Sequence, residues 1–299
     1  MIHEIYPDNY NPDYIDKTID NNDYALSYKG NGILVVKTDG EIRLPKLSDY
    51  NVLLGLNQNE LSLGAYYLFE VSKEYFYLID LPADIMEKIP YFGSEKELNI
   101  GEISEKVFYL RIHNYRELDP LKMVFAGATG YHIYSWKKAN RFCGMCGNKM
   151  LPAKNERAMA CECCNNMEFP KISPAVIVAI KNEDKLLLVR NKTGAYKKLA
   201  LLSGYVEIGE SFEQAVHREV YEEVGLKVKN IRFYKNQPWG ISGAHMIGYV
   251  ADLDGDDKLT LQESELSEAV WLTRDEIPEV RNRLSVGSEM ICMYKEGKL

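Results

Sequence analysis

At 299 residues the chain has room for about two average domains. Its 46% hydrophobic and 27% charged residues lie near the globular average, which excludes disordered and fibrous classes. With 36 Lys and Arg against 44 Asp and Glu the net charge is −8, which disfavours a broad phosphate-tracking nucleic-acid surface but not a small nucleotide held through a metal.

Neither a basic n-region nor an apolar h-region follows Met1, so no signal peptide is expected. No run reaches the ~18 apolar residues of a membrane span, and the best, 175–180, has only strand length. A cytoplasmic protein with no membrane partner is expected. Residues 1–120 alternate short apolar runs with polar turns. The runs 33–36, 66–71, 75–79 and 107–110 are β-branched and aromatic and read as strands, with clusters such as Asn21, Asn22 and Asp23 as loops between them. This β-rich α+β region names no function by itself. Residues 120–140 read as a helix with Asp119 as N-cap and Pro120 at its first position, so 121–141 form a linking helix. Its end, with Lys137, Lys138 and Arg141, is basic, as the helix dipole favours.

A cysteine cluster follows at 142–169. Cys143 and Cys146, then Cys161 and Cys164, form two CxxC pairs, a spacing that suits tetrahedral Zn²⁺. Gly144 and Gly147 are expected to relieve crowding where the chain wraps the ion. Four sulfur ligands leave no open position, so the zinc is structural. Cys163 is an alternative to Cys164 as fourth ligand, and Cys292 reads as an ordinary buried thiol.

From 170 to 299, strand patterns alternate with two helical ones, as in a compact α/β domain. Residues 211–224 read as a helix with Ser211 as N-cap and Gly225 as stop. At 100° per residue, Glu219, Glu222 and Glu223 share one arc of its surface, beside an apolar stripe of Val216, Val220 and Val224. Three carboxylates so placed repel one another unless they hold a hard cation such as Mg²⁺ or Mn²⁺; the alternative on spacing alone is a solvated acidic face. Arg218 stands ready to pair with one of them. An acidic stretch with Asp252, Asp254, Asp256 and Asp257 has aspartate where a calcium loop needs glycine, and reads as a solvated hairpin turn.

The full pattern is more specific. Gly204, five residues, Glu210, seven residues, Arg218-Glu219, an aliphatic, one residue, Glu222-Glu223, one residue, Gly225 and an aliphatic match the Nudix box at every defined position. The chain thus resembles a Nudix hydrolase, which implies an α/β/α sandwich preceded here by the zinc ribbon and the N-terminal domain. Further, a zinc ribbon directly before such a domain, and Gln237, Pro238 and Trp239 fourteen residues past Glu223, resemble the NADH pyrophosphatase (NAD diphosphatase) family.

That resemblance implies Mg²⁺- or Mn²⁺-dependent cleavage of the pyrophosphate of NADH or NAD⁺ to nicotinamide mononucleotide and AMP, and removal of NAD caps from RNA 5′ ends. It implies a homodimer. It marks Glu219, Glu222 and Glu223 as metal ligands in the catalytic group with Arg218, and Glu265 as a further metal carboxylate. Substrate contacts are implied for Phe169, Ser203, Gln237, Pro238, Trp239 and Gly287. The stretch Gly240, Ile241, Ser242, Gly243 and Ala244 replaces the family's Pro-Phe-Pro and Ser, so a looser substrate loop is expected. The rival readings are a Nudix pyrophosphatase for ADP-ribose or nucleotide sugars, and a non-enzymatic nucleotide-sensing regulator; an intact box argues against the second.

Overall fold

A computed structural model describes residues 1–38, 41–92, 106–193, 197–280 and 282–299, and the chain divides into two compact units. One comprises residues 2–171 with 240–242; the other comprises residue 1, 172–239 and 243–299.

The first unit contains the N-terminal β-rich domain. Its strands include Gly32–Thr38, Tyr66–Val71, Glu74–Leu78 and Val107–Arg111, spread over a four-stranded and a five-stranded sheet. Leu34, Tyr67, Tyr77 and Tyr109 form part of one buried cluster there. The long helix runs Leu121–Ala139, with Pro120 itself at the N-cap and no side-chain cap, so it starts one residue later than read from Asp119. The Tyr28 hydroxyl donates to the Gly127 carbonyl at 2.8 Å, tying this helix to the strands. The ribbon follows as three two-residue strands, Leu151–Pro152, Met159–Ala160 and Met167–Glu168, paired antiparallel.

The second unit is a six-stranded mixed sheet with a helix on each face. Its elements are β1 (Ser173–Asn182), β2 (Lys185–Asn191), β3 (Leu202–Tyr205), α1 (Phe212–Val224), β4 (Val228–Trp239), β5 (Ala244–Leu253), β6 (Leu266–Thr273) and α2 (Val286–Lys295). The order is β4-β5-β1-β2-β6, with β3 pairing the first half of β1. Among the described residues of this unit only β1 and β5 run parallel. The period-2 alternation of β1 explains the layers. Val176, Val178 and Ile180 pack towards α1, whereas Ile177 and Ala179 pack towards α2. Val216, Val220 and Val224 of α1 are fully buried, each contributing roughly 1.5–3 kcal/mol.

Helix α1 has the ends expected of it. Ser211 and Gln214 form a capping box, and Gly225 closes the helix in the left-handed conformation at φ 73°. Two expectations need correction. The acidic stretch after β5 is not a hairpin turn: it carries the chain from β5 to β6, which are not neighbours, and the Asp257 carbonyl accepts from Trp271 Nε1. Cys292 is half-exposed rather than buried. Among the described residues no helix is long and apolar enough to cross a membrane.

Candidate functional site

The zinc knuckles repeat one geometry. Cys143 N–H donates to the Asn148 carbonyl and Gly147 N–H to the Cys143 carbonyl; Cys161 and Asn165 make the same bonds to Asn166 and Cys161. The residue four past each first cysteine, Gly147 or Asn165, takes a left-handed φ, of 74° and 58°. An added β carbon would meet nothing at Gly144 or at Gly147, so neither relieves crowding as expected, and Gly147 is needed instead for its left-handed φ. The sulfurs of Cys143, Cys146, Cys161 and Cys164 lie within 4.8 Å of one another, and Cys163 is outside the group. Side-chain and backbone N–H groups of Asn148 bring the Cys146 thiol down to about 6, and backbone N–H groups of Cys146 and Met145 lower Cys143. Four converging sulfurs, two of them predisposed to thiolate, fit a tetrahedral Zn²⁺.

In the second unit Arg218 organises the carboxylates. Its Nε and Nη2 donate to both oxygens of Glu210 at 2.6 and 2.9 Å, and its Nη1 donates to Glu219 at 2.7 Å and Glu222 at 3.1 Å. Nη2 also reaches the Tyr205 carbonyl at 2.9 Å. The fork with Arg218, together with the Glu207 N–H, takes the Glu210 carboxyl down to about 2. Arg218 is thus a positioning residue, its donors committed to the box. Glu210 and the exposed ring of Tyr205 are absent from the site residues expected above, although the box spacing contains the first and adjacency to Gly204 could have flagged the second.

Glu219 and Glu223 are buried; Glu222 and Glu265 are exposed. Burial raises the Glu219 carboxyl against the pull of Arg218. Among the described residues Glu223 has acidic neighbours and no balancing cation: burial first, then the charges of Glu219, Glu265 and Glu222, take it up to about 8. The same interactions place Glu265 beside Glu219 and Glu223. The glutamates share this corner but are not gathered to common ligand distance, since among the described residues only the cysteines form such a set. Gly204 lies flat against Glu219, where an added β carbon would fall 2.0 Å from its carboxyl carbon.

The expected substrate residues are less uniform. Ser203 is exposed on β3, Trp239 is half-buried at the end of β4, and Pro238 is exposed beside it. Gln237 is fully buried. Its Nε2 donates to the Leu284 carbonyl at 2.8 Å and its Oε1 accepts from Val286 N–H at 2.7 Å, so its amide supports the start of α2 and offers no free edge. Gly287 admits the Ile177 side chain, which a β carbon would approach to 2.7 Å. Phe169, in the other unit, presents an exposed ring. The stretch Gly240, Ile241, Ser242 and Gly243 forms a four-residue turn joining β4 to β5. Gly243, at φ 74°, donates to the Trp239 carbonyl at 3.1 Å and accepts from Ser173 N–H at 3.0 Å.

A cavity of about 460 Å³ opens on the sheet at the start of α1, walled by Phe212, Phe233, Ile247 and Tyr249 with Asn236 and His245 at its side. That volume is ample for one half of a dinucleotide. None of Ser203, Trp239 or Gly287 lines it. Its histidine is not free, sharing a 2.9 Å bond with Asn236, while His132 bonds the Lys171 carbonyl at 2.8 Å.

Comparison with known proteins agrees with this geometry. Residues 171–291 match the NUDIX domain, and residues 138–169 match the NADH pyrophosphatase zinc ribbon domain. The NAD-capped RNA hydrolase NudC of Photobacterium profundum is 32% identical over 81% of this chain and 94% of its own. That of Salmonella schwarzengrund is 36% identical over 67% and 80% respectively. A NUDIX hydrolase crystal structure from Nitrosomonas europaea aligns at a TM-score of 0.46 and 23% identity, over 52% of this chain and 91% of that one. With a box helix held by its own arginine and a cysteine ribbon ahead of it, the chain belongs to the Nudix hydrolases of the zinc-ribbon NADH pyrophosphatase family.

Proposed function

We propose that the protein hydrolyses the pyrophosphate bond of NADH and NAD⁺ to nicotinamide mononucleotide and AMP, and removes NAD caps from RNA 5′ ends, with Mg²⁺ or Mn²⁺ at the carboxylates. The observation that carries this is the buried, uncompensated charge of Glu223 beside Glu219 and Glu265. Such a group is poised either to stay protonated or to hold a cation, and oxygen donors of this kind suit hard divalent metals. The relatives' names, NAD-capped RNA hydrolase, support the same substrate.

In this reading Glu219, Glu222, Glu223 and Glu265 hold the metal. A bound divalent cation there supplies Lewis acidity and cancels pyrophosphate charge. The chain's own contribution is placement. Arg218 fixes Glu219 and Glu222 in one orientation, Glu210 locks Arg218, and the Gly204 backbone sets how far Glu219 extends. Water adds to one phosphorus, the bridging P–O bond breaks, and each product leaves as a phosphomonoester. Trp239 offers a ring on which the base or the nicotinamide stacks. The working form is a cytoplasmic homodimer, whose mass sedimentation of the purified chain measures.

The decisive assay offers NADH, NAD⁺, ADP-ribose and a nucleotide sugar in parallel with Mg²⁺ or Mn²⁺. Nicotinamide mononucleotide plus AMP as the fastest products supports the reading. Preference for ADP-ribose, or a rate indifferent to Trp239→Ala, would leave only the general Nudix chemistry. Gly204→Ala tests placement separately. The displaced atoms belong to a buried carboxylate held by Arg218, so stability should fall by about 1–3 kcal/mol with the protein still folded. Shifting Glu219 by an ångström should nonetheless lower kcat about 10²-fold. A thermal melt and a rate assay on one preparation check both.

A further inference from the structure

Glu219, Glu222 and Glu223 ride on α1, but the fourth carboxylate of the proposed metal corner, Glu265, arrives on the connection between β5 and β6. Whatever holds that connection to the helix sets the shape of the corner.

Helix α1 ends at Val224, and its last carbonyls need partners from outside the helix. The connection supplies them. Thr260 N–H donates to the Val224 carbonyl at 2.9 Å, and Gln262 N–H donates to the Glu223 carbonyl at 2.9 Å. Leu259 and Leu261, alternating with these two, pack against the buried cluster that contains the valines of α1. Gly225 permits the approach, since a β carbon there would stand 2.9 Å from Thr260 Cβ. Gln262 then turns the chain: its carbonyl accepts from Glu265 N–H and from Leu266 N–H, each at 3.0 Å. Lys192 clamps the turn, with its N–H on the Glu265 carbonyl and its Nζ on the Glu263 carbonyl, both at 2.7 Å.

The side chain of Gln262 completes the link. Its Nε2 donates to Glu265 Oε1 at 3.1 Å, and among the described residues no other side chain bonds that carboxylate. A carboxylate held by one oxygen keeps the other for a metal, and such a bond turns a mobile surface glutamate into an oriented ligand. The donor is also neutral. Lys or Arg in its place would cancel the charge of Glu265 and compete with a cation, whereas an amide orients the carboxylate and leaves its charge available.

We propose that Gln262 is a positioning residue for the metal corner: its backbone ties the connection to the last turn of α1, and its amide orients Glu265 for the cation. This rests on the metal-ligand reading above. The backbone bonds survive any substitution except proline, so Gln262→Ala separates orientation from folding.

The test titrates Mn²⁺ into full-length, zinc-loaded protein without substrate and reads free Mn²⁺ by electron paramagnetic resonance. Gln262→Ala is expected to keep the parent's melting temperature and to bind Mn²⁺ about tenfold more weakly. Glu265→Gln is expected to weaken binding at least as far. Adding Gln262→Ala to it should cost nothing more, because the amide then has no carboxylate to orient. Parent-like affinity in Gln262→Ala beside a weakened Glu265→Gln would overturn the proposal and leave the ligand assignment standing. Parent-like affinity in Glu265→Gln would overturn both. A full repeat of the Gln262→Ala loss in the Glu265→Gln background would also overturn the proposal, since the amide would then act elsewhere than on Glu265.

Discussion

Replacing Glu223 by glutamine is expected to give a folded, zinc-loaded protein whose kcat lies about 10²–10³-fold below the parent's, a loss of roughly 3–4 kcal/mol of transition-state stabilisation. Glutamine keeps the shape and one oxygen but cannot carry the charge that holds a hard cation. The same substitution should act in the opposite direction on stability when no divalent cation is added. The Glu223 carboxyl in the folded protein sits at about 8 against an ordinary 4.5. A raised acid favours the folded state only while protonated. That contribution is complete below about pH 4.5 and is lost progressively as pH rises through 8. Dialysed free of Mg²⁺ and Mn²⁺ but with zinc retained, the parent should therefore lose a few kcal/mol between pH 5 and 9, and Glu223→Gln should lose much less. Melting temperatures across that range distinguish the two. Parallel curves would mean that Glu223 is already ionised and compensated, and its place among the metal ligands would fall with that result.

Removing zinc is the second large effect. The ribbon has three strands of two residues each, too little structure to persist without its ion. Structural zinc in small modules contributes on the order of 10–16 kcal/mol of apparent binding energy. Chelation, or Cys146→Ser, should abolish cooperative folding of residues 142–169, read as loss of protection from proteolysis there. Metal analysis should return one zinc per chain in the parent and in Cys163→Ser, because that sulfur stands outside the converging set. Zinc loss from Cys163→Ser would instead mean that the second knuckle uses a different cysteine.

What was legible in the sequence followed from spacing. The caps of α1, its valine stripe and its row of glutamates are all functions of a 3.6-residue period, and the paired cysteines are fixed by the reach of two knuckles around one ion. What was not legible came from partners distant along the chain. Nothing near Gln237 shows that its amide is consumed by Leu284 and Val286, forty-seven and forty-nine residues away. Likewise the cavity draws its walls from α1, β4 and β5 together, so no local motif announces it.

The buried amide of Gln237 has a further meaning for how the domain can change. Through it the strand end that carries Trp239 is anchored to the C-terminal helix α2, whereas Glu219, Glu222 and Glu223 ride on α1 across the opposite face of the sheet. If Trp239 stacks on the ligand and the glutamates hold the metal as proposed, ligand preference and bond cleavage hang from separate supports. Substitutions at the start of α2 can swing the tryptophan without touching the glutamates, so selectivity is free to drift while the hydrolytic machinery stays fixed.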